Sequence, residues 1–229
     1  MFHVKICGVC RPLDAQLAAE LEADAIGLNF FPQSKRFVTV EQACAIVKEL
    51  PPTVKKVRVF VNATAGDVVA TFDAVGLDIV QLHGDEPPDF IPLLDGRPTI
   101  RAFRLGTTEA NVGLDEVSAY AEECCLLGHP LAAVLVDAFR PGEYGGTGAT
   151  LDWPPLAVRG GPLADMPLIL AGGLTAANVT EAIRLARPFG VDTASGVESS
   201  TRAKDPHWMK LFIQAARTAL GRVDGGAGT

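Results

Sequence analysis

Residues 168–194, LILAGGLTAANVTEAIRLARPFGVDTA, contain one complete copy of the pattern that decides the fold. The apolar runs Leu168–Ala171 and Val191–Ala194 have the composition of buried strands. Between them, the apolar residues of Ala176–Ala186 recur at three- and four-residue spacing, which predicts an amphipathic helix. Strand, helix and strand in this order are typical of a parallel sheet, because the helix returns the chain to the starting edge.

The same alternation continues through the whole chain. Apolar runs predict eight strands: Val4–Cys7, Ala25–Phe30, Val57–Val61, Ile79–Leu82, Ile100–Phe103, Ala132–Val136, Leu168–Ala171 and Val191–Ala194. The helical patterns between them are Pro12–Glu22, Val40–Leu50, Ala65–Val75, Pro87–Leu94, Leu114–Cys125, a short one after Trp153-Pro-Pro155, Ala176–Ala186 and Pro206–Leu220.

Eight such units in 229 residues predict an α/β fold, a single-domain (βα)8 TIM barrel. We assign residues 1–222 to the barrel and expect a disordered tail at 223–229, which is rich in glycine. A doubly wound open sheet is the structural alternative, since it uses the same units.

Composition narrows the classes of function. The formal net charge is −7 and Lys/Arg runs are lacking, so we predict no nucleic-acid partner. The N-terminus, MFHVKICGVC, does not have the layout of a signal peptide, and the apolar runs are far shorter than the roughly 20 residues that cross a bilayer. The odd number of cysteines, 5, suits reduced thiols. We therefore expect a cytoplasmic protein without a membrane partner.

In a barrel of this kind the active site lies at the carboxyl ends of the strands, where alternation points Cys7 and Asp137 inward. A thiol and a carboxylate that project over one cavity from strands one and six could move a proton across a small substrate, as base and acid. A buried structural cysteine and a capping aspartate are the alternative interpretation.

Two glycine-containing turns end strands seven and eight. Gly172-Gly173 allows close approach of the backbone to a ligand, and Ser195-Gly196 offers a hydroxyl and backbone N–H groups. Barrels of this class commonly bind phosphate at these two strand ends, so we predict a phosphate site there. Glycines that only permit tight turns are the alternative.

Cys7-Gly-Val-Cys10 is a C-x-x-C sequence, which occurs in redox proteins of the thioredoxin type and in zinc sites. The chain continues far beyond the size of a thioredoxin domain, and it lacks the second C-x-x-C of a zinc ribbon. A redox or metal role is therefore a minor alternative. His83 closes strand four, where packing or capping is favoured over a catalytic role.

Five motifs stand at the expected strand ends, in this order: Lys5-Ile-Cys-Gly8, Val80-Gln-Leu-His-Gly-Asp-Glu86, Gly145-Gly-Thr-Gly148 with Asp152-Trp153, Leu170-Ala-Gly-Gly-Leu174, and Gly190-Val-Asp192 followed by Ser195-Gly-Val-Glu198. Together they resemble the phosphoribosylanthranilate isomerase family of tryptophan biosynthesis. The likeness covers nearly the whole chain. The sequence departs from the family at Cys10, at Ala194, and in 138–144 and 200–203.

The resemblance implies an Amadori rearrangement of a small phosphorylated substrate, N-(5'-phosphoribosyl)anthranilate, without a cofactor or a metal. It assigns the base to Cys7, the general acid to Asp137, and the group that binds the anthranilate carboxylate to Arg36. We expect a monomer or a homodimer. Another sugar-phosphate isomerase or epimerase on the same barrel is the nearest alternative, and a C-x-x-C redox protein is the alternative from another class.

This chemistry carries expectations about charge. Proton transfer near neutral pH calls for a raised pKa at Asp137 and a lowered pKa at Cys7. Lys5 points into the barrel, where an unpaired ammonium is costly, so we expect it to contact inward-facing Asp192 on the strand that closes the barrel. We also expect the segment after Val197 to close over the phosphate.

Overall fold

Within residues 1–104, 113–137, 156 and 160–221, which this computed structural model describes, eight parallel strands close into a barrel in chain order. They are β1 (Val4–Cys7), β2 (Ala25–Asn29), β3 (Lys55–Phe60), β4 (Ile79–Leu82), β5 (Thr99–Arg104), β6 (Ala133–Asp137), β7 (Leu168–Ala171) and β8 (Gly190–Thr193). β8 pairs with β1, and this pairing closes the barrel. The predicted (βα)8 barrel is confirmed, and the open sheet is excluded.

Six α-helices among the described residues pack outside the strands: α1 (Pro12–Glu20), α2 (Val40–Val47), α3 (Ala65–Val75), α4 (Leu114–Leu126), α5 (Val179–Ala186) and α6 (Pro206–Ala219). The weak helical pattern after β4 forms a 3₁₀ helix, Pro88–Leu94, because Pro92 inside it cannot donate a helical hydrogen bond. After β8 the chain forms a 3₁₀ turn, Ser195–Val197, and then a small antiparallel hairpin of β9 (Glu198–Ser200) and β10 (Ala203–Lys204).

Local sequence explains where several helices begin. Thr39 and Gln42 form a reciprocal capping box at the start of α2. Asp205 caps α6, where its carboxylate accepts hydrogen bonds from two backbone amides, and Pro206 occupies the first turn. The predicted helix from Ala176 begins later, at Val179, because Asn178 first closes a turn by accepting a hydrogen bond from the amide of Thr175.

Side chains form two buried layers, as strand alternation requires. One layer lies between strands and helices, and it holds most of the branched apolar residues. The second fills the barrel interior with mostly small or branched residues: Phe2, Ala25, Val57, Ile79, Ile100, Ala102, Ala133, Leu135, Ile169 and Ala171. Three polar side chains, Lys5, Gln81 and Asp192, are buried with them. Among the described residues, none of the helices has the length and apolar character that a membrane span requires.

Some sequence predictions lie outside the described residues. These are the tail 223–229, the Gly145–Gly148 and Asp152-Trp153 motifs, the segment 138–144 and the short helix after Pro155.

Candidate active site

Lys5 lies at the centre of a buried polar group below the barrel mouth. Its ammonium donates to Asp192 Oδ2 at 2.8 Å and to Gln81 Oε1 at 2.9 Å. The contact follows from the strand register, since Lys5 and Asp192 are direct partners in the β1–β8 pairing. The predicted Lys5–Asp192 contact is confirmed. Burial is the largest single influence and lowers the pKa of Lys5, but Asp192 and Cys7 together raise the pKa above its usual value, so the ammonium stays charged.

Gly27 provides the space for Lys5 and Cys7. It pairs with Cys7 across β1 and β2, and a Cβ at this position would lie 2.6 Å from Cys7 Sγ and 2.9 Å from Lys5 Cε. Any larger residue would therefore displace the thiol. The sequence analysis missed this role, although a glycine inside a strand is itself a signal of close approach.

Cys7 is the last residue of β1 and faces the barrel mouth. Burial raises the pKa of its thiol above the usual value, and the charge of Asp192 raises it further. The ammoniums of Lys5 and Lys204 oppose this shift without reversing it. The expectation of a lowered thiol pKa was therefore wrong for this structure, because desolvation of the thiolate exceeds the attraction of the two cations.

Asp137 ends β6 and also faces the mouth. Burial, reinforced by Asp192, raises the pKa of its carboxyl to about 6, while Arg104 opposes the shift. This confirms the expected direction. Asp192 thus acts electrostatically on both Cys7 and Asp137, which end β1 and β6 at the same mouth of the barrel.

His83 lies beside the acid, with its Nε2 3.8 Å from Asp137 Oδ2. Burial and the nearby cations Arg104, Lys5 and Arg101 lower the pKa of His83 to about 4, so the ring is neutral at pH 7. The sequence analysis favoured a packing or capping role, but the residue lines the candidate site.

A network behind His83 fixes the turn after β4. The buried carboxylate of Glu86 accepts hydrogen bonds from the amides of Asn62 and Gly84. Arg101 lies 3.7 Å from that carboxylate and donates to the carbonyls of Leu82 and Gly84. The His83-Gly-Asp-Glu86 motif is therefore a rigid support that presents His83 to the site.

The two predicted phosphate-binding turns lie in direct contact. Gly172 and Gly173 have φ angles of +94° and +63°, which favour glycine. A Cβ at Gly196 would collide with the carbonyl oxygen of Leu174, and the Thr193 hydroxyl donates to that same oxygen at 2.7 Å. The turns after β7 and β8, with Ser195 at the start of the second, thus form one continuous backbone surface.

Arg36 crosses over Gly8, next to Cys7, and a Cβ at Gly8 would collide with its Cδ. Its guanidinium makes a bidentate pair with Glu198: Nε donates to Oε1 at 2.7 Å, and Nη2 donates to Oε2 at 2.6 Å. The sequence analysis did not foresee this partner. A guanidinium has five N–H donors, so the edge formed by Nη1 and Nη2 can still take a second carboxylate.

Glu198 and Lys204, which belong to the β9–β10 hairpin, lie on the Arg36 side of the site. Lys204 Nζ donates to Glu198 Oε1 at 3.2 Å and to the Ala194 carbonyl at 2.8 Å. Burial alone raises the pKa of Glu198, but Arg36 and Lys204 together hold it below its usual value. The segment after Val197 therefore packs against the strand-two loop and contacts the chain just before Ser195, and its closure over the phosphate stays a prediction.

Cys10 has contacts that differ from those of Cys7. Its thiol donates weakly to the carbonyls of Gly8 and Arg36, both at 3.5 Å. Both cysteines are free, and the closed barrel excludes a thioredoxin-type fold.

Comparison with known proteins shows the family to which the chain belongs. The family model described as N-(5'phosphoribosyl)anthranilate (PRA) isomerase matches residues 4–215. An N-(5'-phosphoribosyl)anthranilate isomerase of Geotalea daltonii is 41% identical, over 97% of this chain and 100% of the relative. The crystal structure of the Thermotoga maritima phosphoribosyl anthranilate isomerase superposes with a TM-score of 0.79 at 36% identity, covering 95% of this chain and 100% of that one.

A further solved structure is a phosphoribosyl anthranilate isomerase in complex with reduced 1-(o-carboxyphenylamino)-1-deoxyribulose 5-phosphate. It has a TM-score of 0.77 and 34% identity, and it covers 95% of this chain and 100% of that one. The family model spans most of the chain, and the relatives match over nearly their full length. The chain belongs to the N-(5'-phosphoribosyl)anthranilate isomerase family.

Proposed function

We propose that this isomerase of tryptophan biosynthesis converts N-(5'-phosphoribosyl)anthranilate to 1-(2-carboxyphenylamino)-1-deoxyribulose 5-phosphate with Cys7 as base and Asp137 as acid. Membership of the family supports the reaction. The observation that supports the two residues is their position at the ends of β1 and β6 in one closed barrel, with Asp192 as a charged residue that acts on both. An Amadori rearrangement needs two such groups over one substrate.

The first step opens the ribose ring. Asp137 in its protonated form donates its proton to the ring oxygen, the bond between that oxygen and C1' breaks, and the nitrogen lone pair forms the C1'=N bond of a Schiff base. A raised pKa keeps a fraction of this carboxyl protonated near neutral pH, as a general acid requires. Neutral His83 beside it adds no positive charge that would favour early ionisation.

The second step moves hydrogen along the opened chain. The Cys7 thiolate removes the proton from C2', and the electrons of that C–H bond form the C1'=C2' bond of an enolamine while the C1'=N electrons return to nitrogen. The enolamine then tautomerises to the ketone, taking a proton at C1' and losing one from the C2' hydroxyl. Lys5 stabilises the thiolate electrostatically.

Two anion sites would hold the substrate in this orientation. Backbone amides of Gly172, Gly173, Ser195 and Gly196 bind the phosphate, which explains how a chain with a net charge of −7 attracts an anion. Arg36 takes the anthranilate carboxylate on its Nη1–Nη2 edge while Glu198 keeps the other edge in place. Because both ends of the substrate are bound, the ribose between them is held in the orientation that the reaction needs.

We further propose that the reaction uses neither metal nor organic cofactor, since ring opening and removal of the C2' proton each have a side chain to perform them. The proposed location is the cytoplasm, where free thiols such as these five stay reduced. A monomer or a homodimer remains the proposed assembly.

The deciding experiment compares Cys7→Ala with Cys10→Ala. The assay is the loss of substrate fluorescence after addition of each purified protein, in the presence of a chelator. Cys7→Ala should show no detectable turnover, because the base is gone. Cys10→Ala should stay within a few-fold of the wild type, because a thiol is a weak hydrogen-bond donor. Equal and severe losses in both variants would instead favour a redox pair.

A further inference from the structure

The loop that carries Arg36 is held from outside by a second arginine. Arg202 Nη1 donates to the carbonyl of Lys35 at 3.2 Å and to that of Phe37 at 2.8 Å. These carbonyls flank Arg36 on either side. One guanidinium group therefore fixes the backbone on both sides of the proposed substrate-binding residue.

Arg202 adopts a backbone conformation that disfavours a side chain. It lies at the turn between β9 and β10 with φ +73°, where glycine is the residue without steric cost. An arginine in this conformation is accounted for if contacts of its side chain offset the steric cost of the backbone. Among the described residues, its side chain donates hydrogen bonds only to the Arg36 loop.

The loop's own hydrogen bonds cannot replace this contact. The amide of Arg36 donates to Ser34 Oγ at 3.1 Å, and that of Phe37 donates to the Ser34 carbonyl at 3.1 Å. These bonds set the internal shape of the loop, and the amide of Val38 ties its end to β2 by donating to the Asn29 carbonyl at 2.9 Å. The contacts to the hairpin are the ones that tie the loop to the chain after β8. Glu198 contacts the guanidinium of Arg36, and Arg202 contacts the backbone of the loop.

We propose that Arg202 is a positioning residue that sets the distance between the two anion sites. The hairpin that carries it follows directly after Ser195–Val197, so it links the proposed phosphate turn to the proposed carboxylate-binding Arg36. This inference rests on the proposed function of Arg36. A substrate with an anion at each end is recognised only if both sites keep their separation, and Arg202 maintains that separation without touching the substrate.

The kinetic test is Arg202→Gly, which removes the side chain and relieves the positive φ. KM should rise by roughly three- to thirtyfold, less than the hundredfold that a full ångström of misplacement can cost, with a smaller fall in kcat. The matched control is Arg187→Gly, which relieves a similar φ of +45° at the end of α5, before β8 on the opposite face of the barrel. It should leave both constants unchanged.

A double-mutant cycle separates positioning from direct binding. In an Arg36→Ala background, Arg202→Gly should change KM by less than about twofold, because a residue that acts through Arg36 has nothing left to position. A full effect that persists in this background would mean that Arg202 binds substrate itself, and it would overturn the proposal. If Arg36→Ala alone were as active as the wild type, that result would contradict the proposed role of Arg36 and also the positioning role of Arg202.

Hydrogen exchange tests the restraint independently of catalysis. Amides of residues 34–38 should exchange faster in Arg202→Gly than in the wild type, and those in Arg187→Gly should not. Unchanged exchange would show that Arg202 does not hold the loop, even if the wild-type protein is fully active. Faster exchange with wild-type KM would show that the restraint has no bearing on substrate binding, which also contradicts the proposal.

Discussion

Replacing Asp137 with asparagine should remove the limb near pH 6 from the pH profile of kcat/KM. The proposed mechanism needs Asp137 protonated and Cys7 ionised at the same time. Burial raises the pKa of Asp137 to about 6 and raises the pKa of Cys7 above the ordinary thiol value of about 9. At neutral pH each group therefore prefers the opposite state to the one that it must adopt.

The separation of the two pKa values sets the fraction of molecules in which Asp137 is protonated while Cys7 is ionised. Between about pH 6 and the higher pKa of the thiol, only a small minority of molecules carries both groups in the required states, because each group favours the other state there. That fraction stays constant over the interval, because ionisation of Asp137 and of Cys7 changes it in opposite directions. Below about pH 6 it falls roughly tenfold per pH unit, as the thiolate disappears while the carboxyl stays protonated. The pKa of the acid thus produces an ascending limb.

The assay is kcat/KM for the wild type and Asp137→Asn from pH 5 to beyond the thiol pKa. Asparagine does not titrate, so the residual activity of the variant, lower by on the order of a hundredfold, should keep rising until Cys7 is ionised. A limb near pH 6 that survives the substitution belongs to another group, such as the substrate phosphate, whose second pKa is about 6. That result would refute the assignment of Asp137 as the acid.

Three further substitutions test other parts of the site. Asp192→Asn leaves the Lys5 ammonium buried without its counter-ion, so the free energy of unfolding in urea should fall by about 3–5 kcal/mol. The double variant Asp192→Asn with Lys5→Met should recover most of that loss. Arg36→Ala should raise KM and lower kcat together, and Arg36→Lys should restore only part of the lost activity. Inorganic phosphate should still inhibit Arg36→Ala. Loss of phosphate inhibition at normal turnover would contradict the two-site arrangement. Gly27→Ala should cost about 1–3 kcal/mol through overpacking and most of the activity, since the added methyl meets the thiol of Cys7. Gly66→Ala should behave like the wild type, since its added Cβ would meet only the Thr64 hydroxyl at 4.0 Å.

Strand periodicity was enough to predict the barrel and the inward direction of Cys7 and Asp137. The Lys5–Asp192 contact was also predictable, because closure of a barrel pairs its first and last strands and a buried ammonium needs an anion. Parity along a strand is a local property, so one sequence suffices to read it.

Features that depend on distances between loops were not predictable. The pKa of Cys7 depends on the balance of burial against Lys5 and Lys204, and sequence spacing does not give that balance. The pairing of Arg36 with Glu198 joins residues 162 positions apart in the chain, and their contact exists only once β2 and β8 flank β1. The contact of His83 with Asp137 was not predictable for the same reason, since Asp137 comes from a distant strand.

The pairing of β1 with β8 has a consequence for how the polypeptide is made. Lys5 and Asp192 are 187 positions apart, so during synthesis β1 has one unpaired edge until residue 193 has left the ribosome. Over that time an ammonium that will be enclosed must remain in water, and an edge strand is open to pairing with other chains. The late closure makes the nascent chain depend on the ordering of its last quarter, and contacts of such long sequence separation are slow to form. Moving β1 to the end of the gene by circular permutation would bring Lys5 close to Asp192 in sequence, but it would transfer the unpaired edge to β2, because in a closed barrel the first strand always waits for the last.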